Sequence, residues 1–95
     1  MLKQKEHFFN KDGEEFTQLK RQGMSCIFER KFPSGDKQYE VVVLKEKGES
    51  EIKQNDKVYK YPPKEVYPGA SHWGVYGWTL LTLEKAEKKF ADLVG

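Results

Sequence analysis

Apolar and polar positions alternate over residues 24–32: Met24, Cys26, Phe28 and Phe32 recur on even positions, with Arg30 the one polar residue among them, while Ser25, Glu29 and Lys31 point the other way. That period belongs to a strand. Pro33-Ser34-Gly35-Asp36 supplies a turn in which proline presets φ, and Gln38 to Glu46 resumes as a second strand. Its run Tyr39-Glu40-Val41-Val42-Val43-Leu44 is β-branched and continuous enough for the inside of a sheet. Residues 24–46 are therefore expected to form an antiparallel hairpin. Another strand is read at Val75 to Leu81, with Tyr76, Trp78 and Leu80 on one face and Gly77 leaving room for a close approach on the other. The period then changes to that of a helix. Thr82 fits the N-cap, Glu84 favours the positive helix start, and Leu83, Ala86, Phe90 and Leu93 or Val94 form one apolar stripe. Its outer face, Lys85, Glu87, Lys88, Lys89 and Asp92, is mixed in sign and reads as ordinary solvated surface.

The remaining segments are less regular. From Lys5 to Leu19 two readings stay open. Asp12 followed by Glu15 resembles a capping box, with Phe16 and Leu19 on one helix face; equally, Asp12-Gly13 can turn a hairpin between His7-Phe8-Phe9 and Glu15-Phe16-Thr17. The hairpin is preferred, because a helix ending at Gly23 has only two good apolar anchors. Glu46 to Lys57 is charged, holds only Ile52 as an apolar residue, and reads as an exposed connection or an edge strand. Val58-Tyr59-Lys60-Tyr61 can form a short strand that Pro62-Pro63 ends, because neither proline donates to a ladder. Pro62 to Gly74 is expected to be an irregular loop carrying Tyr67, His72 and Trp73.

Together these elements predict a single α+β domain over residues 1–95, an antiparallel meander of four to five strands with one C-terminal helix packed on one face and the opposite face or an edge left open. Composition allows it. Leu, Ile, Val and Phe make up 22 of the 95 residues, enough for a thin core, and 13 aromatic residues must supply much of the buried area. Seventeen basic and fifteen acidic residues leave a net charge of +2, too even to mark a dedicated nucleic-acid binder. The single cysteine, Cys26, has no internal disulfide partner and lies in an apolar run, which favours a reducing compartment. The start, Met1 to Glu6, has no signal-peptide core, and no apolar stretch is long enough to cross a membrane. A soluble, cytoplasmic chain is expected.

Residues suited to catalysis are few. His7 and His72 are the two histidines, and no signature ties either to Cys26, so a small Cys/His hydrolase using Cys26 or His72 ranks last among the readings. Neither C-x-x-C nor H-x-x-x-H occurs, and the glycines around Trp73 and Gly77 are not followed by a phosphate-binding Gly-Lys-Ser/Thr. No catalytic residue, metal or cofactor is assigned. Glu14-Glu15 and the Glu46 to Glu51 group are read as solubilising charge. Arg30 is expected to lie along aromatic rings or to pair across strands with Glu40; the alternative is an exposed cation placed for a ligand.

An aromatic concentration remains. Tyr61, Tyr67, His72 and Trp73 form the expected partner-binding surface, because aromatic residues usually dominate interface energetics. The competing account makes Tyr61, Trp73 and Trp78 a plug between helix and sheet. Phe28-Glu29-Arg30 with Tyr39-Glu40-Val41, and Tyr67-Pro68 through Trp73-Gly74, Gly77-Trp78-Thr79 and Leu83-Glu84-Lys85-Ala86, resemble small uncharacterised accessory proteins of bacteriophages and mobile elements. That resemblance implies a bacterial cytoplasm and an accessory role, and it carries no activity. The leading expectation is a non-catalytic module that binds another protein or a second copy of itself. The alternative is single-stranded nucleic-acid binding through Lys57, Tyr59, Lys60 and Lys64, in which rings stack on bases while lysines neutralise phosphates.

Overall fold

The computed structural model describes residues 2–95; Met1 lies outside them. The alternating segment becomes β3 (Ser25–Lys31), and the β-branched run becomes β4 (Lys37–Val43), its antiparallel partner. They are central in a five-stranded antiparallel sheet, where β1 (His7–Phe9) and β2 (Glu15–Gln22) lie on one side and β9 (Gly77–Leu80) on the other, in the order β1-β2-β3-β4-β9. The first segment is thus the hairpin, with Phe8 paired to Phe16. Gly13, at φ 77°, supplies the left-handed residue that turn requires. Residues 12–22, open between strand and helix in the sequence, form the end of the Gly13 turn and then β2, which has an irregularity between Gln18 and Lys20 that leaves Leu19 exposed.

The sheet is covered on both faces. Helix α1 (Leu83–Val94) begins where the Thr82 hydroxyl accepts a hydrogen bond from the Lys85 N–H, and it buries Ala86 and Phe90 against Ile27 and Val41. Trp78 lies on this side of β9 opposite Val41, half-buried, with Lys89 Nζ 4.2 Å from its ring centroid. The other face carries a second cluster of Phe16, Cys26, Phe28, Val42 and Leu44. Consecutive buried pairs, Ile27-Phe28 and Val41-Val42, follow directly from β3 and β4 being sandwiched.

The second face is not open, contrary to expectation. Tyr67 and Trp73 fold over it and pack on the Phe16-Phe28 cluster. The segment 62–74 is also more regular than a loop: β8 (Lys64–Val66) pairs antiparallel with β5 (Lys45–Lys47), and a single 3-10 turn spans Ala70–His72. The long strand expected over 38–46 breaks at Leu44, whose side chain drops into the second cluster while its N–H donates to the Met24 carbonyl. Between β5 and β8 the chain makes a further hairpin of β6 (Ser50–Gln54) and β7 (Lys57–Tyr61), turned by Asn55 and Asp56 at φ 52° and 61°. Two adjacent positive-φ residues match the twist of a tight hairpin.

This outer hairpin stands away from the body. The radius of gyration is 15.3 Å, against about 12 Å for a compact chain of this length, and the principal extents are 51 × 34 × 22 Å.

Candidate functional site

Two places in the molecule combine aromatic rings with charge: the covered face of the sheet and the projecting hairpin. On the covered face, Gly77 is what seats Trp73. A methyl group added at Gly77 overlaps the indole ring carbons, so only glycine lets the ring lie flat on β9. The Trp73 Nε1–H then donates to the Thr79 hydroxyl at 3.0 Å. Tyr67 meets Phe8, Phe16 and Phe28 edge-on, with centroids 5.3 to 6.0 Å apart, and its hydroxyl donates to Glu40 Oε1 at 2.6 Å.

Arg30 organises the charge here. Its guanidinium donates to both oxygens of Glu14 at 2.8 Å and to Glu40 Oε2 at 3.2 Å, while lying over Phe16 and Phe32 at 5.6 and 4.9 Å. Both expected accounts of Arg30, along rings and paired with Glu40, hold at once. Glu14 corrects an expectation: it is buried and ion-paired, not solubilising charge. Adjacent Glu15 faces solvent and meets His7, which is the alternation a strand start imposes. The Arg30 hydrogen bonds hold the Glu14 carboxyl below the usual carboxylate range. Burial instead pushes Glu40 up, against the hydrogen bonds from Tyr67 and Arg30. A hollow of about 400 Å³ opens between Phe16, Arg30, Glu40, Tyr67 and Trp73. Its polar atoms are already partnered to one another, so it reads as a structural seam.

Cys26 is fully buried and donates weakly to Gln18 Oε1 at 3.8 Å. Burial pushes its thiol up to about 11, the opposite of the shift that activates a nucleophile. His72 sits in the 3-10 turn with its ring 5.8 Å from that of Tyr76.

The projecting hairpin contrasts with all of this. Its root is clamped: Glu65 in β8 accepts two hydrogen bonds from Arg21, at 2.7 and 2.6 Å, and a third from the Gln4 N–H, while Leu2 exchanges backbone bonds with Pro63 and Glu65. The Arg21 hydrogen bonds hold Glu65 down to about 2. Beyond Pro62 and Gly48 nothing comparable restrains the chain. Ile52, Val58, Tyr59 and Tyr61 are 49, 50, 44 and 48% exposed, and every residue of β6 and β7 except Ser50 is exposed.

Register sorts the two faces of this arm. Ser50 opposes Tyr61, Ile52 opposes Tyr59 and Gln54 opposes Lys57, so these six side chains share one face. Lys47 and Lys64, directly opposite one another at the root, line a hollow of about 210 Å³ with Ile52 and Tyr61 on that same side. Glu51, Lys53, Val58 and Lys60 take the other face. One face is thus aromatic and basic without a carboxylate; the other is mixed.

The expected partner-binding group divides accordingly. Tyr61 is exposed on the arm, Tyr67 and Trp73 are committed to the second core, and half-buried His72 lies with Tyr76. The plug between helix and sheet holds only for Trp78, beside Lys89 of α1; Trp73 is packed on the opposite face of the sheet, and Tyr61 is exposed because the strand that holds it leaves the body. Of the basic group, Lys57, Tyr59 and Lys64 fall on the aromatic side and Lys60 on the reverse. Ile52, the one apolar residue of the charged stretch, lies as far before the Asn55-Asp56 turn as Tyr59 lies after it, and that spacing sets the two on one face. Among the described residues, no helix is long and apolar enough to cross a membrane. A scan against protein-family models, a search of curated proteins and a search of solved structures found no match.

Proposed function

We propose that the protein is a non-catalytic module that binds another protein, a second copy of itself included, through the β6–β7 arm. The observation that supports this reading is the arm's exposure: a clamped root carries a hairpin whose apolar residues Ile52, Tyr59 and Tyr61 share one uncovered face. A two-stranded hairpin is marginal in water, and exposed aromatic and aliphatic side chains on one face gain most when a partner buries them. Tyr59 and Tyr61 are the anchors, and the lysines around them form a polar rim.

The test is contact-specific. With the photo-crosslinking residue benzoylphenylalanine in place of Tyr59, irradiation of cells producing the chain gives a discrete protein adduct, and the same residue in place of Lys88 on the outer face of α1 does not. An adduct pattern identical at both positions, or no protein adduct from position 59, overturns the reading.

Single-stranded nucleic acid is the second reading, favoured by the gathering of Lys47, Lys57 and Lys64 with Tyr59 and Tyr61 on one face. Salt separates the two. Oligonucleotide affinity governed by phosphates falls steeply as salt rises, whereas a mainly aromatic protein contact changes little.

A further inference from the structure

The arm has two outer edges, and they differ in how they meet a copy of themselves. Each edge is a five-residue strand, β6 on one side and β7 on the other, whose alternate main-chain groups point outward with no strand beside them among the described residues. Such an edge templates a further strand. Placed antiparallel to its own copy about Ile52, β6 sets Glu51 against the partner's Lys53 and Lys53 against the partner's Glu51, with Ile52 facing the partner's Ile52 and Ser50 facing the partner's Gln54. Both charge pairs are attractive and the centre is apolar. Doing the same with β7 about Tyr59 brings four lysines, Lys57 and Lys60 of each copy, into one ribbon with no carboxylate. Joining β6 of one copy to β7 of the next leaves a free edge at each end and grows without limit, whereas β6 on β6 closes with a two-fold axis.

We propose that two copies of the chain associate by antiparallel pairing of β6 with β6 about Ile52, converting two hairpins into one four-stranded sheet. The inference rests on the arm being the binding element and names its partner. Closure aligns Tyr59 and Ile52 of one copy with the partner's Ile52 and the partner's Tyr59 in one row across the sheet. The four-stranded product has the strand number that an isolated hairpin lacks and joins the two apolar faces into one.

Charge exchange tests it. The wild-type chain is expected to shift from monomer to dimer as its concentration is raised in sedimentation or light-scattering runs. Glu51→Lys and Lys53→Glu each turn two attractive pairs repulsive and weaken the dimer at least about tenfold. The double variant E51K/K53E restores both pairs and recovers the dimer, and an equimolar mixture of the two single variants forms a mixed dimer while neither associates alone. Within its own hairpin Glu51 faces Lys60 and Lys53 faces Val58, so Lys53→Glu is the variant that alters a charge pair only between copies. All these side chains are exposed, and the unfolding midpoint of each variant at dilute concentration, set by the five-stranded sheet and α1, stays close to the wild-type value and certifies the fold. A wild-type chain that is monomeric at several hundred micromolar, single variants that dimerise like wild type, or a double variant that stays monomeric overturns the proposal. A monomeric wild type that still crosslinks from position 59 to a different protein overturns self-pairing and leaves the arm as a binding element. Loss of both results overturns both.

Discussion

The molecule holds two hairpins of similar build and opposite fate. The β3–β4 hairpin has seven residues in each strand, and its Ile27, Phe28, Val41 and Val42 are sealed between helix and loop; the β6–β7 hairpin has five in each strand and is sealed by nothing. Backbone pairing is complete in both, so hydrogen bonding does not separate them. What differs is the area removed from water, at roughly 25 cal/mol per Å² of apolar surface. The first hairpin holds the fold together; the second is held in place by its root.

The largest way to sharpen this contrast is a truncation in each hairpin. Phe28→Ala removes a fully buried ring and is expected to cost about 3–5 kcal/mol in denaturant unfolding, whereas Tyr59→Ser at dilute concentration stays within about 0.5 kcal/mol of wild type. Comparable losses from the two variants would mean that the arm packs on the body after all. Amide exchange gives the same comparison without mutation: Ile27 and Val41 should exchange only on global unfolding, and Ile52 and Tyr59 far sooner.

Next is the charged seam beneath Tyr67. Arg30→Met leaves Glu14 and Glu40 buried beside each other without a cation, an expected loss of about 3 kcal/mol at pH 7. Unpaired buried carboxyls bind protons more tightly when folded, so the penalty is present at neutral pH and is relieved as pH falls towards 4. Urea titrations of both chains at pH 7 and pH 4 check this; a deficit that grows on acidification contradicts the assignment.

A smaller effect comes from the root of the arm. Arg21→Met is expected to cost about 2 kcal/mol at pH 7 by removing a charged hydrogen-bond pair from Glu65. Because Glu65 titrates at about 2 in the folded chain and near 4.5 when unfolded, its contribution is complete above pH 4.5 and is lost as pH falls from there towards 2. Wild type should therefore lose more stability over that interval than the variant, and equal slopes would show that the clamp contributes nothing.

Some of this contrast is legible without coordinates of any kind. Period two over Met24 to Phe32, the β-branched run Tyr39 to Leu44, the Thr82 cap and the stripe through Ala86 and Phe90 each mark their element locally. Glu14 could not be read that way. Phe16, two residues on, is its one close apolar neighbour in the chain, and its burial depends on an ion pair with Arg30, sixteen residues away on the adjacent strand β3. The projecting site is half-legible: the stop at Pro62-Pro63 and the charged stretch before it point to exposure, but Ile52 and Tyr59 become one face only once a register is chosen.

Chain-local chemistry therefore settled the two central strands, the strand before the helix and where the helix starts, since propensity, period and capping act between near neighbours, while the strands within 45–66 stay open or read as loop on local grounds. Only the folded chain decided that both faces of the sheet are covered, that Trp73 lies on Gly77, and that Tyr61 leaves the body while Tyr67 enters it. Those outcomes depend on contacts between residues far apart in sequence, where the same aromatic side chain gains equally from any apolar surface that reaches it, and the path of the backbone selects which one does.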